Sequence, residues 1–297
     1  MQLVVYLIVF PFLWAISILP FKLFYLFSDF VYLIVYRLLG YRKKVVRNNL
    51  KLVFPEKSLQ EIKHIEKKFY RHMCDLFLEM IKSLTISEKE IKKRFTLTNP
   101  EVLKKYGKQG KSSILICGHY ASYEWATSLG YHIEHTGYAI YTPLANKYFD
   151  RLVKKIRMKH NAYLISRYDA VMEIKKHQDE KHLAMYGFAS DQSPQLGKSH
   201  YWREFMGVKV PVFTGAEFLA KKLGLPVVFM DIQKIKRGYY QATFTTIADT
   251  PKEYPDYQIT DIFTQMLEEQ IRKKPEYYLW THKRWKHKDK VPEKYKG

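Results

Sequence analysis

Short apolar segments alternate with helical ones from Phe95 onward, and this alternation restricts the possible folds more than any other feature of the chain. The predicted strands are 113–117, 138–141, 163–165, 183–188, 225–232 and 239–247, and the predicted helices are 123–129, 146–159, 168–176, 214–223 and 259–273. Such alternation indicates βαβ units. We therefore predict an α/β fold with a mostly parallel central sheet flanked by helices. A turn at 236–238 separates the last two strands, which predicts an antiparallel hairpin.

The region before these units is predicted to be helical. Ser58 and Glu61 have the spacing of a capping box, and apolar residues then recur every three or four positions as far as Ser83. The same capping spacing precedes a second, shorter helix that ends near Arg94. Because no internal repeat or linker interrupts the rest of the chain, residues 41–297 are predicted to form one domain.

The first 40 residues are strongly apolar and predict a membrane anchor. The run Leu3–Leu19 has 17 residues, at the short end of the ~17–25 that span a bilayer, and Phe21–Leu39 is a second, more aromatic run. The basic region and cleavage site of a secretory signal are missing. Basic residues follow at positions 37, 42, 43, 44 and 47, which marks the cytoplasmic side of a membrane. We predict that residues 1–40 form a spanning or interfacial anchor; a buried helical hairpin in a soluble protein is the alternative.

The charge of the chain favours a polyanionic partner. There are 50 Lys and Arg against 29 Asp and Glu, a net charge of +21. Aromatic and basic residues alternate over residues 277–288, as they do where proteins meet anionic headgroups. The same aromatic and basic side chains could stack on single-stranded nucleic acid, or the segment could be a solvated tail. Because the N-terminal segment favours a membrane, we predict a membrane partner and no nucleic acid.

The sequence gives no sign of a cofactor. It contains no phosphate-binding glycine loop, no dinucleotide fingerprint and no Cys/His spacing typical of a metal site. We therefore expect neither a metal nor a cofactor. Cys74 and Cys117 are too few for a disulfide framework, and reduced thiols in a cytosolic compartment are the simplest interpretation.

His119 is the first candidate for chemistry. It lies where a predicted strand passes into a predicted helix, a common ligand position in α/β sheets, and Glu124 follows five residues later. A carboxylate on one ring nitrogen would fix the tautomer and leave the other nitrogen free as a base. The spacing by itself is a weak signal, since a structural histidine beside a carboxylate has the same pattern.

Short blocks spread along most of the chain strengthen the functional interpretation. They are RKKVVRNNL at 42–50, FPE at 54–56, GHY at 118–120, EW at 124–125, SDQS at 190–193, FMG at 205–207, P at 211, TG at 214–215, LA at 219–220, PEYY at 275–278, W at 280 and HKRWK at 282–286. With these blocks in this order, the chain resembles the late lipid A acyltransferases of Gram-negative bacteria, the Kdo-dependent lauroyl- and myristoyltransferases. It looks like a Bacteroidetes-type member. The resemblance implies a glycerolphosphate-acyltransferase-like fold.

The resemblance implies acyl transfer from an acyl carrier protein to a hydroxyl of a lipid A precursor in lipopolysaccharide biosynthesis. The family's His-x4-Asp/Glu motif corresponds to His119 and Glu124. His119 would be the general base, and Glu124 would orient and stabilise its imidazole. No nucleophilic side chain is needed because a thioester is already activated. The implied location is the bacterial inner membrane, with the catalytic domain, 41–297, on the cytoplasmic side.

Three further residues are assigned to substrate binding. Arg167 resembles an arginine near the family's site, and we assign it to the acceptor phosphate or to the oxyanion; a surface salt bridge is the alternative. Asp191 and Gln192 follow a predicted strand and are expected to position His119 or the acceptor sugar. Asp191 could equally form a turn before Pro194.

Other functions stay open at this point. A lysophospholipid or an aminoacyl lipid could be the acceptor, and a lipid hydrolase would use His119 to activate water instead of a hydroxyl. A non-catalytic membrane- or nucleic-acid-binding protein on the same fold would not need His119.

Overall fold

The computed structural model describes residues 1–295, and a seven-stranded sheet forms its centre. The strands are β1 Phe95–Leu97, β2 Ser113–Cys117, β3 Thr136–Tyr141, β4 Ala162–Ser166, β5 Ala184–Ala189, β6 Tyr201–Phe205, β7 Val208–Val212, β8 Val227–Lys236 and β9 Tyr239–Ala248. The order across the sheet is β1-β9-β8-β2-β5-β3-β4, and β6 and β7 form a separate antiparallel hairpin. In the sheet, β8 and β9 are antiparallel, as predicted, and the other neighbouring pairs are parallel.

Helices cover the sheet and form the N-terminal part of the chain. They are α1 Gln2–Ile18, α2 Phe21–Tyr32, α3 Lys43–Val53, α4 Leu59–Lys82, α5 Glu88–Arg94, α6 Glu101–Lys108, α7 Lys147–Met158, α8 Ala170–Asp179, α9 Gly215–Leu223 and α10 Gln258–Lys273. A π-helical segment continues α2 to Leu38. At the start of α4, Ser58 and Glu61 form the predicted reciprocal capping box. The predicted α/β class, with a mostly parallel sheet flanked by helices, is confirmed.

Strand β2 lies at the middle of the sheet and coincides with the predicted segment 113–117. It pairs with β5 on one side and β8 on the other, and the successive residues Ile114 and Leu115 are both buried, as expected for a parallel strand covered on both faces. Helix α10 packs closely on the end of this strand. A Cβ at Gly118 would come within 2.5 Å of a Leu267 methyl group, so glycine allows α10 to approach the residue before His119.

Helix α4 holds the end of the first N-terminal helix. Lys82 of α4 donates hydrogen bonds of 2.6 Å to the carbonyl oxygens of Ser17 and Leu19, where α1 ends. Within residues 1–295 no single helix is both long and apolar enough to cross a membrane; the segments 21–38 and 43–53 meet that criterion only as a pair, and the pair is bent by 85°. The anchor over residues 1–40 therefore stays a prediction.

Candidate active site

His119 and Asp191 are brought together by the parallel sheet. His119 follows β2, Asp191 follows β5, and the two strands are neighbours. Because the carboxyl ends of parallel strands lie at one edge, residues distant in sequence meet there. The separation between His119 Nδ1 and Asp191 Oδ1 is 2.6 Å. The Asp191 side chain is buried, whereas the His119 side chain keeps 19% of its surface exposed, so a substrate can reach it.

Asp191 raises the pKa of His119 and fixes the tautomer of the neutral ring, with the proton on Nδ1. Burial lowers the pKa of His119, but the charge and hydrogen bond of Asp191, together with the charge of Glu124, outweigh burial, and the pKa lies above its ordinary value of 6.5. Burial raises the pKa of Asp191, but the charge of His119 and the hydrogen bonds to the carboxylate together outweigh burial, so that the pKa is lowered overall. Asp191 is therefore a carboxylate that accepts the Nδ1 proton of the neutral ring. The other nitrogen, Nε2, is left as the basic atom.

Gln192 lies next to that basic nitrogen. Its Nε2 is 3.3 Å from Nε2 of His119, and with Nδ1 protonated the amide is the donor. The Tyr123 ring packs edge-on against His119 at 4.9 Å between centroids. Gln192 thus occupies a position from which a substrate hydroxyl could donate to the ring. The structure places both Asp191 and Gln192 in contact with His119.

Glu124 has a different partner from the one the sequence suggests. Its carboxylate accepts three hydrogen bonds from Arg157 of α7, at 2.7, 2.9 and 3.1 Å. The expectation that Glu124 orients the imidazole by direct contact is corrected here. The physical reason is that Asp191, from the adjacent strand, already holds Nδ1, and an arginine fork fits a carboxylate better than an imidazole does.

Arg157 is the residue that sequence reasoning missed. It lies within the predicted helix 146–159, but nothing in the helical pattern separates it from the other basic residues there. The guanidinium is largely buried, with 17% of the side chain exposed. Its three bonds to Glu124 use Nε and Nη2, which leaves the Nη1 group outside this fork.

A large cavity opens beside these residues. Its volume is about 1590 Å³, and His119, Glu124, Arg157 and Gln192 all line it. Apolar residues form much of the remaining wall, among them Leu129, Ile133, Ile140, Val153, Val171 and Met185. Arg167 also lines the cavity, as an exposed side chain whose guanidinium lies 5.2 Å from the Tyr168 ring centroid. Within residues 1–295 no group of three His, Cys, Asp or Glu residues could hold a metal ion.

The C-terminal block, residues 282–286, fixes the loop that carries Asp191. The backbone N–H of Ser193 donates to His282 Nε2 at 3.1 Å, and the Ser193 hydroxyl donates to the carbonyl oxygen of Arg284. Burial lowers the pKa of His282 to about 4, so the ring is neutral and can accept this bond. The N-terminal block, residues 42–50, in turn holds this segment, because Asn49 Nδ2 donates to the carbonyls of Trp280 and His282, each at 2.9 Å. Blocks far apart in sequence therefore form one support for Asp191.

Asn49→Ala is expected to lower the free energy of unfolding by about 1–3 kcal/mol, because it removes the donor to the buried Trp280 carbonyl and one of the two donors to the His282 carbonyl. Chemical denaturation of the purified protein measures the change. Asn48→Ala is the matched control, since Asn48 is exposed on the same helix and should shift the value by less than about 0.5 kcal/mol. Equal effects of the two substitutions would show that Asn49 does not support this segment.

Comparison with known proteins identifies the family. A family model described as bacterial lipid A biosynthesis acyltransferase matches residues 1–287. The chain belongs to this family. Among lipid A acyltransferases that it is similar to, the lauroyltransferase of Escherichia coli strain K12 is 24% identical over 287 residues, 95% of this chain and 92% of the relative. The lipid A palmitoleoyltransferase of the same strain is 23% identical over 253 residues, covering 82% of this chain and 79% of its own length. A lipid A acyltransferase of Haemophilus influenzae is 26% identical over 270 residues, 86% and 81% of the two chains.

Proposed function

We propose that this protein transfers a fatty acyl chain from an acyl carrier protein thioester to a hydroxyl of a lipid A precursor. Family membership supports a role in lipid A acylation. The observation that carries the finer proposal is the His119–Asp191 hydrogen bond at the wall of a cavity of about 1590 Å³ with many apolar residues. A base polarised by a buried carboxylate beside such a cavity suits proton removal from a lipid hydroxyl next to a bound acyl chain.

The reaction follows from the tautomer of His119. Nε2 accepts the proton of the acceptor hydroxyl while the oxygen attacks the thioester carbonyl carbon. The resulting imidazolium is stabilised by Asp191, whose carboxylate stays ionised. When the tetrahedral intermediate collapses, the carbon–sulfur bond breaks, and the leaving thiolate takes the proton from Nε2. The products are an ester and the free carrier thiol, and His119 returns to its starting state.

The developing oxyanion requires a donor near the carbonyl carbon. Arg157 is suited to this role because it is a buried cation at the cavity and Glu124 fixes its orientation. The Nη1 group, which lies outside the fork, would donate to the oxyanion. In this proposal Glu124 acts through Arg157 and Gln192 moves off Nε2 when the hydroxyl binds.

The exposed cations along the cavity suit anionic substrates. Arg167, Lys198 and Lys222 line it, and the chain as a whole carries +21. We assign Arg167 to a phosphate of the acceptor, and the basic surface to attraction of the acidic carrier protein and an anionic membrane. The proposed location is the cytoplasmic side of a bacterial inner membrane, with residues 1–40 in contact with the bilayer.

Small residues on the sheet leave room for an acyl chain. Gly187 of β5 lies opposite Ala139 of β3, and both line the cavity. Ala189 and Met185, two residues to either side of Gly187, belong to the same face of β5 and also line it. This face extends roughly 13 Å along the strand, at about 3.3 Å per residue, from the end near His119. We place the acyl chain along it.

Gly187→Leu is expected to shift the preference toward shorter acyl chains. A Cβ at this position meets only ordinary contacts, 3.6 Å from the Tyr138 carbonyl oxygen, so the larger side chain can be built and would enter the cavity. Each methylene that no longer fits should cost about 1–3 kcal/mol, roughly 10–200-fold in kcat/KM. Competition between carrier thioesters of different length measures the ratio. Gly197→Leu, at an exposed position outside the cavity, should leave the ratio unchanged. If Gly187→Leu also leaves the ratio unchanged, the acyl chain does not lie along this face of β5.

One assay tests the proposed reaction directly. Purified protein is mixed with an acyl carrier protein thioester, with and without a lipid A precursor, and both products are followed by mass spectrometry. Thioester consumption that depends on the precursor, together with one new acyl group on it, supports the proposal. Equal consumption without the precursor would indicate a hydrolase, and consumption only with a lysophospholipid would change the acceptor.

A further inference from the structure

A second cavity lies between α2, α4 and the β8–β9 turn. Its volume is about 590 Å³, and it shares no lining residue with the cavity at His119. Its wall contains five cations, Lys68, Arg71, Lys234, Arg237 and Lys274, against three carboxylates, Asp29, Asp75 and Glu276. The excess of positive charge within one concave site makes it a candidate for an anionic ligand.

The carboxylates do not neutralise all of these cations. Arg237 pairs with both Asp29 and Asp75, at 2.8 and 2.7 Å, and so uses most of the acidic charge. Among the ion pairs of residues 1–295, neither Arg71 nor Lys274 has a carboxylate within 4.0 Å. Both side chains are exposed, and Arg71 packs over the Tyr32 ring, with 5.2 Å between its guanidinium carbon and the ring centroid. These two cations are free to bind a ligand that enters the cavity.

Lys234 is the second, independent observation at this cavity. Its side chain is only 9% exposed, and its ammonium makes two long hydrogen bonds of 3.3 Å, to His72 Nδ1 and Asp75 Oδ2. An ammonium has three N–H donors, so one of them has no hydrogen bond among those found within residues 1–295. A buried cation is costly unless its donors are satisfied. An anionic oxygen in the cavity would complete the set.

Exposed leucines flank one wall residue of the cavity. Asp29 belongs to the wall, and Leu26 and Leu33, three residues before and four after it, are its neighbours on the surface of α2 and the helical segment that continues it. Their exposed fractions are 66% and 48%. A ligand that fits both parts has a phosphate beside a hydrocarbon chain.

We propose that this cavity binds the phosphate of an anionic membrane lipid, whose acyl chain lies along the exposed face of α2. The lipid phosphate bonds to Lys234, Arg71 and Lys274, and Leu26 and Leu33 contact the hydrocarbon. This proposal rests on the membrane location given under the proposed function. Inorganic phosphate has the same charge chemistry, but it makes no use of the two leucines.

Native mass spectrometry of the full-length protein in detergent with added phosphatidylglycerol tests the site. Wild type should retain one phospholipid more than the double variant Arg71→Gln/Lys274→Gln, and titration should show binding at least about tenfold weaker in the variant, as two lost cations imply. The matched control is Lys104→Gln/Lys108→Gln, which removes the same charge from exposed positions on α6, outside both cavities. This control variant should retain as many phospholipids as the wild type.

Three outcomes would overturn the proposal. The first is an equal number of retained lipids in wild type and in Arg71→Gln/Lys274→Gln. The second is an equal loss in the α6 control, which would mean unspecific attraction. The third comes from a parallel sample with added inorganic phosphate, and it is that the cavity binds inorganic phosphate but does not bind the phospholipid. Acyl transfer is assayed separately on the same proteins. If the wild type shows no acyl transfer, the proposed function is rejected. The number of retained lipids would still show whether this cavity binds a phospholipid.

Discussion

His119→Ala is expected to lower kcat for acyl transfer by about 10²–10⁴-fold, the contribution of a well-positioned general base. The substitution removes the only atom that the proposed reaction uses to take the hydroxyl proton and return it to the leaving thiolate. Steady-state rates with an acyl carrier protein thioester and a lipid A precursor measure the loss. Because the cavity itself is unchanged, KM for the thioester should change far less than kcat.

The control for this substitution is His64→Ala. His64 is an exposed histidine on α4 that lines neither cavity, and the same change of side chain there should leave kcat within twofold of wild type. Thermal unfolding of both variants shows whether each is folded. A folded His119→Ala protein with the wild-type kcat would reject His119 as the base and, with it, the proposed mechanism.

The sheet could be predicted from the sequence because its signals are local. The segment 113–117 is a short apolar run ending in Gly118, and strand β2 has these bounds. Where the pattern is mixed, prediction fails. The β6–β7 hairpin, 201–212, combines aromatic and charged residues without a clean alternation and was not anticipated. Strand β8 was predicted to end at residue 232 but continues to 236, because its last, polar residues still pair with β9.

The site was only partly predictable because its contacts are long-range. A strand end identifies His119 from local sequence, and the loop after β5 identifies Asp191 and Gln192 as its neighbours. Which carboxylate reaches the ring depends on which strands are adjacent, and β5 pairs with β2 although two other strands separate them in sequence. The five-residue spacing pointed to Glu124, which instead binds Arg157 from a separate helix.

Asp191→Asn is expected to lower kcat by about 10²–10⁴-fold without removing the imidazole. In the native protein the backbone N–H groups of residues 119 and 191 face the Asp191 carboxylate and help to lower its pKa. An asparagine must keep its oxygen toward these donors, so its NH₂ group faces Nδ1 of His119. The ring then accepts at Nδ1 and carries its proton on Nε2, where it cannot act as a base. Asp179→Asn, which removes the same charge from an exposed position, should have the wild-type rate.

The pH dependence separates this effect from general damage to the site. The neutral ring is the active form, so kcat/KM of the wild type should fall as the pH drops through the raised pKa of His119, which lies above 6.5. The charge and hydrogen bond of Asp191 are the largest contributions that raise this pKa, and Asp191→Asn removes the charge. The acidic limb of its residual activity should therefore move to lower pH, while the plateau at high pH stays far below that of the wild type. A lowered plateau with an unmoved limb would mean that Asp191 only shapes the loop, and that another group sets the ionisation on which transfer depends.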